Sequence, residues 1–479
     1  MTDIAIGIDL GTTGVKVLAV SLPDGSVLSE SAGEYAAVTA AGGHEQHPEE
    51  WWEVTSRCLR QVTSRVQADH IVGVGLSGHM HSLLLLDEDG APVAPAMTWA
   101  DRRPGEKALL LAEDPRFLER TGNEAAEAFT APKLAWFAGQ HPQLLARARH
   151  LLLAKDFLGL KLTGRLATDV TDALGTLLWN LHTREWDSEL FAACGASAEL
   201  GTEVLESREA RGEVTREAAV LTGLPAGTPV AAGAGDVPAV MAGSGTTDDS
   251  AVCLNVGTAA QVMRALQQPD AQPGFLFGAM RESRYLKMAS VYAAGASVRW
   301  AQGLLGEVRP DSAGLDEVGP GADGLTYLPF MYGMSAPVKN DQMRGAMLGQ
   351  TDRHGPNQMM AAVIEGVAFA CADAVDVVLG GRADVRSLHL VGGLARSRRF
   401  RESLAAVLDV EIRHARRGGS PLGAAMVGAA LSEASESLDV AAAADLQRVP
   451  VPEGGHRQAL EEARARFTAY RQQLTAPRR

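Results

Sequence analysis

Four cysteines are all that this chain of 479 residues contains, and Cys58, Cys194, Cys253 and Cys371 form no CxxC pair. That spacing points away from a disulfide framework and from a cysteine zinc site. No Gly-Lys dipeptide occurs, which excludes a Walker phosphate loop, and no GxSxG elbow occurs either. His44 and His47 are three apart, but HEQH is not the HExxH of a zinc protease and reads as a solvated loop. Long apolar runs are missing as well. The most lipid-like stretch, Ala218 to Gly245, is broken by Pro225, Pro229, Pro238 and Asp236. MTDIAIGIDL lacks a basic region and carries Asp3 and Asp9, unlike a secretory leader. Basic charge is in deficit, at a net −14, so the overall field repels nucleic acid and anionic membranes. A reduced, cytoplasmic protein with neither nucleic acid nor membrane as partner is expected.

What is present is a repeated pattern. IAIGIDLG reads as a buried strand ending in a turn, GVKVLAVSL as a second strand, and SVLSESAGEY as a third after a Pro-Asp-Gly turn. PEEWWEVTSRCLRQVTSRVQ reads as a helix with Trp52, Leu59, Val62 and Val66 on its apolar stripe. IVGVGLSG is a further strand, and HMHSLLLLDEDGAPVAPAMTW reads as a hairpin around Asp87 to Gly90. The second half repeats the order: AVCLNVGTAAQVMRAL as a hairpin, a long helix from His354 to Gly380, then the strand SLHLVGG. DLGTTG at Asp9 to Gly14 overlays NVGTAA at Asn255 to Ala260. This predicts a duplicated α/β domain with a cleft between the copies, divided near Gly243 to Asp249.

Two segments carry candidate chemistry. In DLGTTGVK, Gly11 and Gly14 permit a tight turn whose N–H groups can face an anion. Thr12 and Thr13 add hydroxyls, Lys16 a positive charge, and Asp9 a carboxylate able to hold Mg²⁺. The plain alternative is an ordinary hairpin, against which the second copy weighs. In AAGAGDVPAVMAG, Asp236 is a lone carboxylate among small residues. It can serve as a general base or as a helix N-cap, and local reading leaves both open. Gly73, Gly75 and Gly78 satisfy GxGxxG, yet a strand-like segment follows where a dinucleotide site needs a helix. Arg396 to Arg401 and Arg413 to Arg417 read as solvated basic faces.

DLGTTGVK, Met80-His81, GNEAAEAFTAPKLAW, AKDFLGLKLTG, TDALGTLLW and GAGD occur in one order, and together they resemble the FGGY carbohydrate kinases, xylulokinases above all. The resemblance spans Ile6 to about Leu431. It implies two actin/hexokinase-like (ribonuclease H-like) domains around a deep cleft, residues 1–244 for the sugar and 245–479 for the nucleotide. It further implies ATP and Mg²⁺ as cofactors and a small sugar as substrate; a homodimer is considered as the assembly. By resemblance, Asp236 is the base and Asp9 the metal-directed carboxylate, with Thr12, Thr13 and Lys16 around the phosphates. Met80, His81 and Trp99 meet the sugar, and Gly257, Thr258, Gly295, Arg299, Gly393 and Ser397 meet the nucleotide.

Several positions depart from the xylulokinase pattern. Val237 stands for Asn after the catalytic Asp, Ala100 for Asn after Trp99, and His79 for Gln. Ser335 falls in a changed GERTP loop, and Leu394 ends a GGG turn. Phosphorylation of D-xylulose is expected. Another ketose or polyol, an actin-like ATPase and a degenerate sugar binder are the alternatives.

Overall fold

The computed structural model describes residues 2–475 apart from 23, 40, 247, 271–272, 281–284, 307, 382–383 and 433–442. Two seven-stranded sheets carry the chain, and their strand orders match. In the first, Ile4–Leu10 pairs antiparallel with Gly14–Ser21, which pairs with Val27–Glu34. On its other side Ile4–Leu10 runs parallel to Ile71–Gly78. In the second, Ala251–Val256 pairs antiparallel with Ala260–Leu266, then Tyr285–Val291, and runs parallel to Ser387–Val391. Phe275–Gly278 adds an edge strand to this second sheet. The expected duplication is therefore present. Asp9 and Asn255 occupy equivalent places, each one residue before the end of its central strand. The Pro-Asp-Gly turn closes through the Gly25 N–H to Ser21 O at 2.9 Å, with Pro23 outside the described residues.

One local expectation is extended and two are corrected. The first long helix, Pro48–Thr63, buries Trp51, Val54, Cys58, Leu59 and Val62, while Trp52 and Val66 are half-buried and pack against the same core. Trp51 is also the ring that donates from Nε1 to Gln46 Oε1, at 3.1 Å. The hairpin around Asp87 is reduced to isolated bridges, and Leu84–Leu86 finds its ladder partner in His150–Leu152. Arg399 is no solvated face. It pairs with the buried Glu365 at 2.6 Å and donates to the carbonyls of Leu315, Val318 and Gly319.

The GxGxxG glycines have a packing role. A β-carbon on Gly73 would overlap Gly428, and one on Gly75 would overlap the Ala424 carbonyl. Both neighbours lie on the helix Ser420–Ala429, which comes from the second half and lies on the first sheet. Gly78 faces the other way, against Lys155. The same Ser420–Ala429 helix crosses Asp236–Gly243 at glycine contacts, Gly423 on Ala239 and Gly243 on Gly419. Small residues thus bring two helices and a sheet to backbone contact at the floor between the halves.

Candidate active site

The first hairpin turn shows how a short glycine loop is made fit for an anion. Gly11 N–H donates to Gly14 O at 2.9 Å and closes the turn. Tyr35 then takes its carbonyls from outside: its single hydroxyl proton is shared between Gly11 O and, at 3.2 Å, Gly14 O, and its N–H donates to Thr13 O. Gln46 Nε2 takes Thr12 O at 2.6 Å. With the carbonyls occupied, the N–H groups of Thr12 and Thr13 have no acceptor among the described residues. Such a turn presents donors without competing oxygens. Tyr35 and Gln46 are functional supports that the motif reading missed.

A cleft of about 520 Å³ opens beside this turn, lined by Asp9, Thr13, Gly14, Lys16, Gly33 and Glu34. Lys16 stands opposite Asp9 across the hairpin and pairs with Glu30 at 2.9 Å, largely exposed. Trp99 is tied to the phosphate turn, its Nε1 donating to Thr12 Oγ1 at 2.8 Å. Asp9 is half-buried, and desolvation of its carboxyl raises it above the usual range against the pull of Ser420, Ser77 and Lys16. Its Oδ2 accepts from Ser420 Oγ at 2.6 Å, while its Oδ1 is buried with no partner among the described residues. That orphaned oxygen, beside a phosphate-ready turn, fits Mg²⁺, which commonly takes one or two carboxylates plus substrate phosphates.

Asp236 is the first residue of the helix Asp236–Gly243, with Gly235 at the N-cap. Its Oδ1 accepts from the adjacent Val237 N–H at 3.0 Å, so the side chain takes one first-turn N–H of the helix from the first helical position, one residue past the N-cap. Its other oxygen is not used in this contact, and the base and helix-end readings stand together. Burial, then the nearby Asp9 charge, pushes the Asp236 carboxyl up to about 7. A carboxylate raised by desolvation and by a neighbouring negative charge suits proton acceptance near neutrality.

Met80 and His81 form the adjoining wall. Met80 is buried against Gly235 and Gly175. His81 holds the left-handed backbone region, φ 67°, and its Nδ1 lies 2.7 Å from Gly175 O. A carbonyl can only accept, so Nδ1 carries the proton. Burial lowers the ring to about 3, so it is neutral and Nε2 is left as an acceptor. Phe129 and Phe277 flank the ring at 4.8 and 5.6 Å. Phe277 belongs to the edge strand of the second sheet, which Asn123 pins to the first half through two bonds to the Leu276 backbone, at 2.7 and 2.9 Å.

The second glycine turn is built like the first. Gly257 O accepts from Gly295 N–H and Thr258 O from Ala296 N–H, both at 3.0 Å, and Arg299 donates to Thr258 Oγ1 at 3.1 Å. Four of the nucleotide-directed residues thus meet at one place. Gly393 is exposed, and it is Gly392, φ 105°, that needs glycine there. Ser397 is the N-cap of Arg398–Val407, accepting from Phe400 N–H. Of the departures, Leu394 packs into the second core, Val237 joins the apolar cluster containing Met80, and His79 is buried with its Nδ1 2.7 Å from Ser82 Oγ.

Residues 4–243 match the N-terminal domain, and residues 252–432 the C-terminal domain, of the FGGY family of carbohydrate kinases. The chain belongs to that family. It is a sugar kinase, and ATP is its co-substrate. Among curated relatives it is 32% identical to the xylulose kinase of Escherichia coli, over 98% of this chain and 99% of that one. It is 28% identical to the xylulose kinase of Bacillus subtilis, over 91% and 89%. Among solved structures it resembles a Brucella ovis protein described as a xyloylose kinase, with a TM-score of 0.88, 30% identity, and 98% and 99% of the two chains covered. A ligand-bound xylulose kinase from Lactobacillus acidophilus shares the fold at a TM-score of 0.89, with 23% identity and 99% of each chain covered. No helix among the described residues is long and apolar enough to cross a membrane.

Proposed function

We propose that this FGGY kinase phosphorylates D-xylulose on its terminal hydroxyl, with Asp236 as the general base. The carrying observation is the place of Asp236: a half-buried carboxyl at the start of the helix Asp236–Gly243, between the Met80-His81 wall and the Asp9 turn, pushed up to about 7 by desolvation and the Asp9 charge. The substrate assignment draws on the xylulose kinases to which the chain is similar over nearly its full length. In phosphoryl transfer the protein chiefly positions groups and stabilises charge. Asp236 accepts the proton of the attacking hydroxyl. His81 Nε2 accepts from a second hydroxyl and fixes the sugar's orientation. The N–H groups of Thr12 and Thr13 take phosphate oxygens, while Lys16 adds charge at the rim. Gly257, Thr258, Gly295 and Arg299 hold the nucleotide from the second half, with Gly393 and Ser397 beyond them. Mg²⁺, when bound at Asp9, would neutralise phosphate charge. In this reading residues 1–244 carry the sugar side and 245–479 the nucleotide side.

The test is a panel of pentuloses, hexuloses, pentitols and tetritols, with ADP release matched to sugar phosphate formed. D-xylulose is expected to give the highest kcat/KM, and turnover without sugar to be minimal. A different sugar winning by a wide margin would replace the substrate. Turnover indifferent to every sugar would remove the kinase reading of Asp236. Val237 supplies no side-chain hydrogen bond, and an unpaired buried hydroxyl costs about 1–3 kcal/mol. Val237→Asn is therefore expected to raise kcat/KM on D-xylulose roughly 5-fold or more, at about 1.4 kcal/mol per factor of ten. No gain, or a loss, would show that the apolar contact with Met80 matters more.

A further inference from the structure

Five charged side chains lie fully inside the first half, away from the cleft: Lys155, Asp156, Asp169, Asp172 and Arg211. Lys155 Nζ sits 2.6 Å from Asp156, 2.9 Å from Asp169 and 3.0 Å from Asp172, and Arg211 approaches Asp156 at 3.6 Å. Burying such a group of charges is costly, and apolar residues of similar size commonly hold a core as well or better. The cluster therefore calls for a role beyond cohesion.

One branch of its hydrogen bonds leads toward Asp236. Asp169 begins the short helix Val170–Gly175 and accepts from Thr171 N–H, Ser207 Oγ and Lys155. It also accepts the Thr171 hydroxyl proton, at 2.7 Å. A hydroxyl has one proton, so the Thr171 oxygen faces its other neighbour as an acceptor. That neighbour is the buried N–H of Gly235, at 2.9 Å. Gly235 also pairs in register with Gly78, so its backbone is gripped between a strand and this helix. The next residue is Asp236. At the far end of the same helix, Gly175 O takes the Nδ1 proton of His81. One buried turn of helix thus touches both the backbone leading into the base and the ring facing the sugar.

We infer that Thr171, oriented by the buried Lys155–Asp169 pair, is a positioning residue that sets the direction of the Asp236 carboxylate, while the opposite end of the same helix sets His81. The inference rests on the reading of Asp236 as the base. Without the Thr171 oxygen the Gly235 N–H is left buried and unpaired, and the segment shifts to find another acceptor. Small misplacements of a reacting group cost large factors in rate.

The experiment compares the full-length Thr171→Val, Thr171→Ser and Asp236→Asn variants, well below their unfolding temperatures. Thr171→Val keeps the shape and removes the hydroxyl. Its kcat is expected to fall at least about 10-fold with the sugar KM within about 3-fold, and the acidic limb of its kcat profile to flatten. Thr171→Ser restores the hydroxyl and is expected to lie within about 2-fold of the unaltered enzyme in kcat. Asp169→Asn is the second variant, should Thr171→Val fail to fold. It removes the charge that pairs with Lys155 and puts an NH2 donor in place of one of the two acceptor oxygens, which disturbs the hold on the Thr171 hydroxyl, and the same flattening is expected. If Asp236→Asn is inactive while Thr171→Val keeps full kcat, or loses activity with an unflattened profile, the positioning inference is overturned and the base reading stands. If Asp236→Asn itself keeps normal kcat, both fall.

Discussion

Ser420 Oγ donates a 2.6 Å hydrogen bond to Asp9 Oδ2, joining residues 411 positions apart. Ser420 opens the second-half helix that lies on the first sheet, so the phosphate-side carboxylate is held by both halves of the duplication. The bond fixes one Asp9 oxygen and leaves the other, Oδ1, free to face a cation. A hydrogen bond to a charged group contributes about 1.5–3 kcal/mol. Ser420→Ala is expected to lower kcat/KM for MgATP roughly 10-fold or more, with the sugar KM little changed. Steady-state kinetics at varied MgATP checks this, and an unaltered MgATP dependence would show that the bond only joins the halves.

The acid limb of activity follows from Asp236. Burial and the Asp9 charge hold its carboxyl near 7, and only the ionised form accepts a proton. With both substrates below saturation, kcat/KM is expected to rise through about pH 7 and then level off. Asp9→Asn removes the repelling charge and is expected to move that limb to lower pH. A limb well below pH 5 in the unaltered enzyme would contradict the assignment. Stability carries the same signature. A raised pKa favours the neutral carboxyl in the folded state, a contribution lost as pH rises through about 7. Asp236→Asn, always neutral, is therefore expected to gain Tm relative to the unaltered protein between pH 4.5 and 7.5, and no further above. Thermal scans at several pH values measure it, and a pH-independent difference in Tm would count against a raised Asp236.

Gly75 has no room for a side chain, because a β-carbon there would overlap the Ala424 carbonyl of the helix from the second half. Overpacking of this kind costs about 1–3 kcal/mol or more. Gly75→Ala is expected to lower the urea midpoint. Gly164, which has open space within 4 Å but a positive φ of 73°, is expected to cost less on substitution by Asn, a residue that tolerates that region. Equal midpoints for Gly75→Ala and the unaltered protein would mean that the helix does not sit on the sheet as described.

Much of this arrangement is legible along the chain because it is local. The two hairpins, the DLGTTG and NVGT turns and the long helices announce themselves through alternation, glycine spacing and apolar periodicity. What escapes local reading are supports that reach across the fold. Tyr35 and Gln46 clear the carbonyls of a turn more than twenty residues away, and Ser420 reaches Asp9 from the other half. Nothing near Thr171 in sequence marks it as the acceptor for Gly235. The GxGxxG pattern has a reason of the same kind, since Gly73 and Gly75 answer to a helix more than 300 residues later, while Gly78 meets Lys155. Departures such as Leu394 and His79 look like altered contacts with ligand, yet they face packed interior.

The central claim is that Asp236 takes the proton from the sugar hydroxyl, and the most direct measurement is the turnover of Asp236→Asn on the best sugar with saturating MgATP. The amide keeps the shape and cannot serve as the base. The account predicts a loss of roughly 10²–10⁴-fold in kcat with sugar affinity retained. A variant that binds sugar and turns over at a near-normal rate would contradict it.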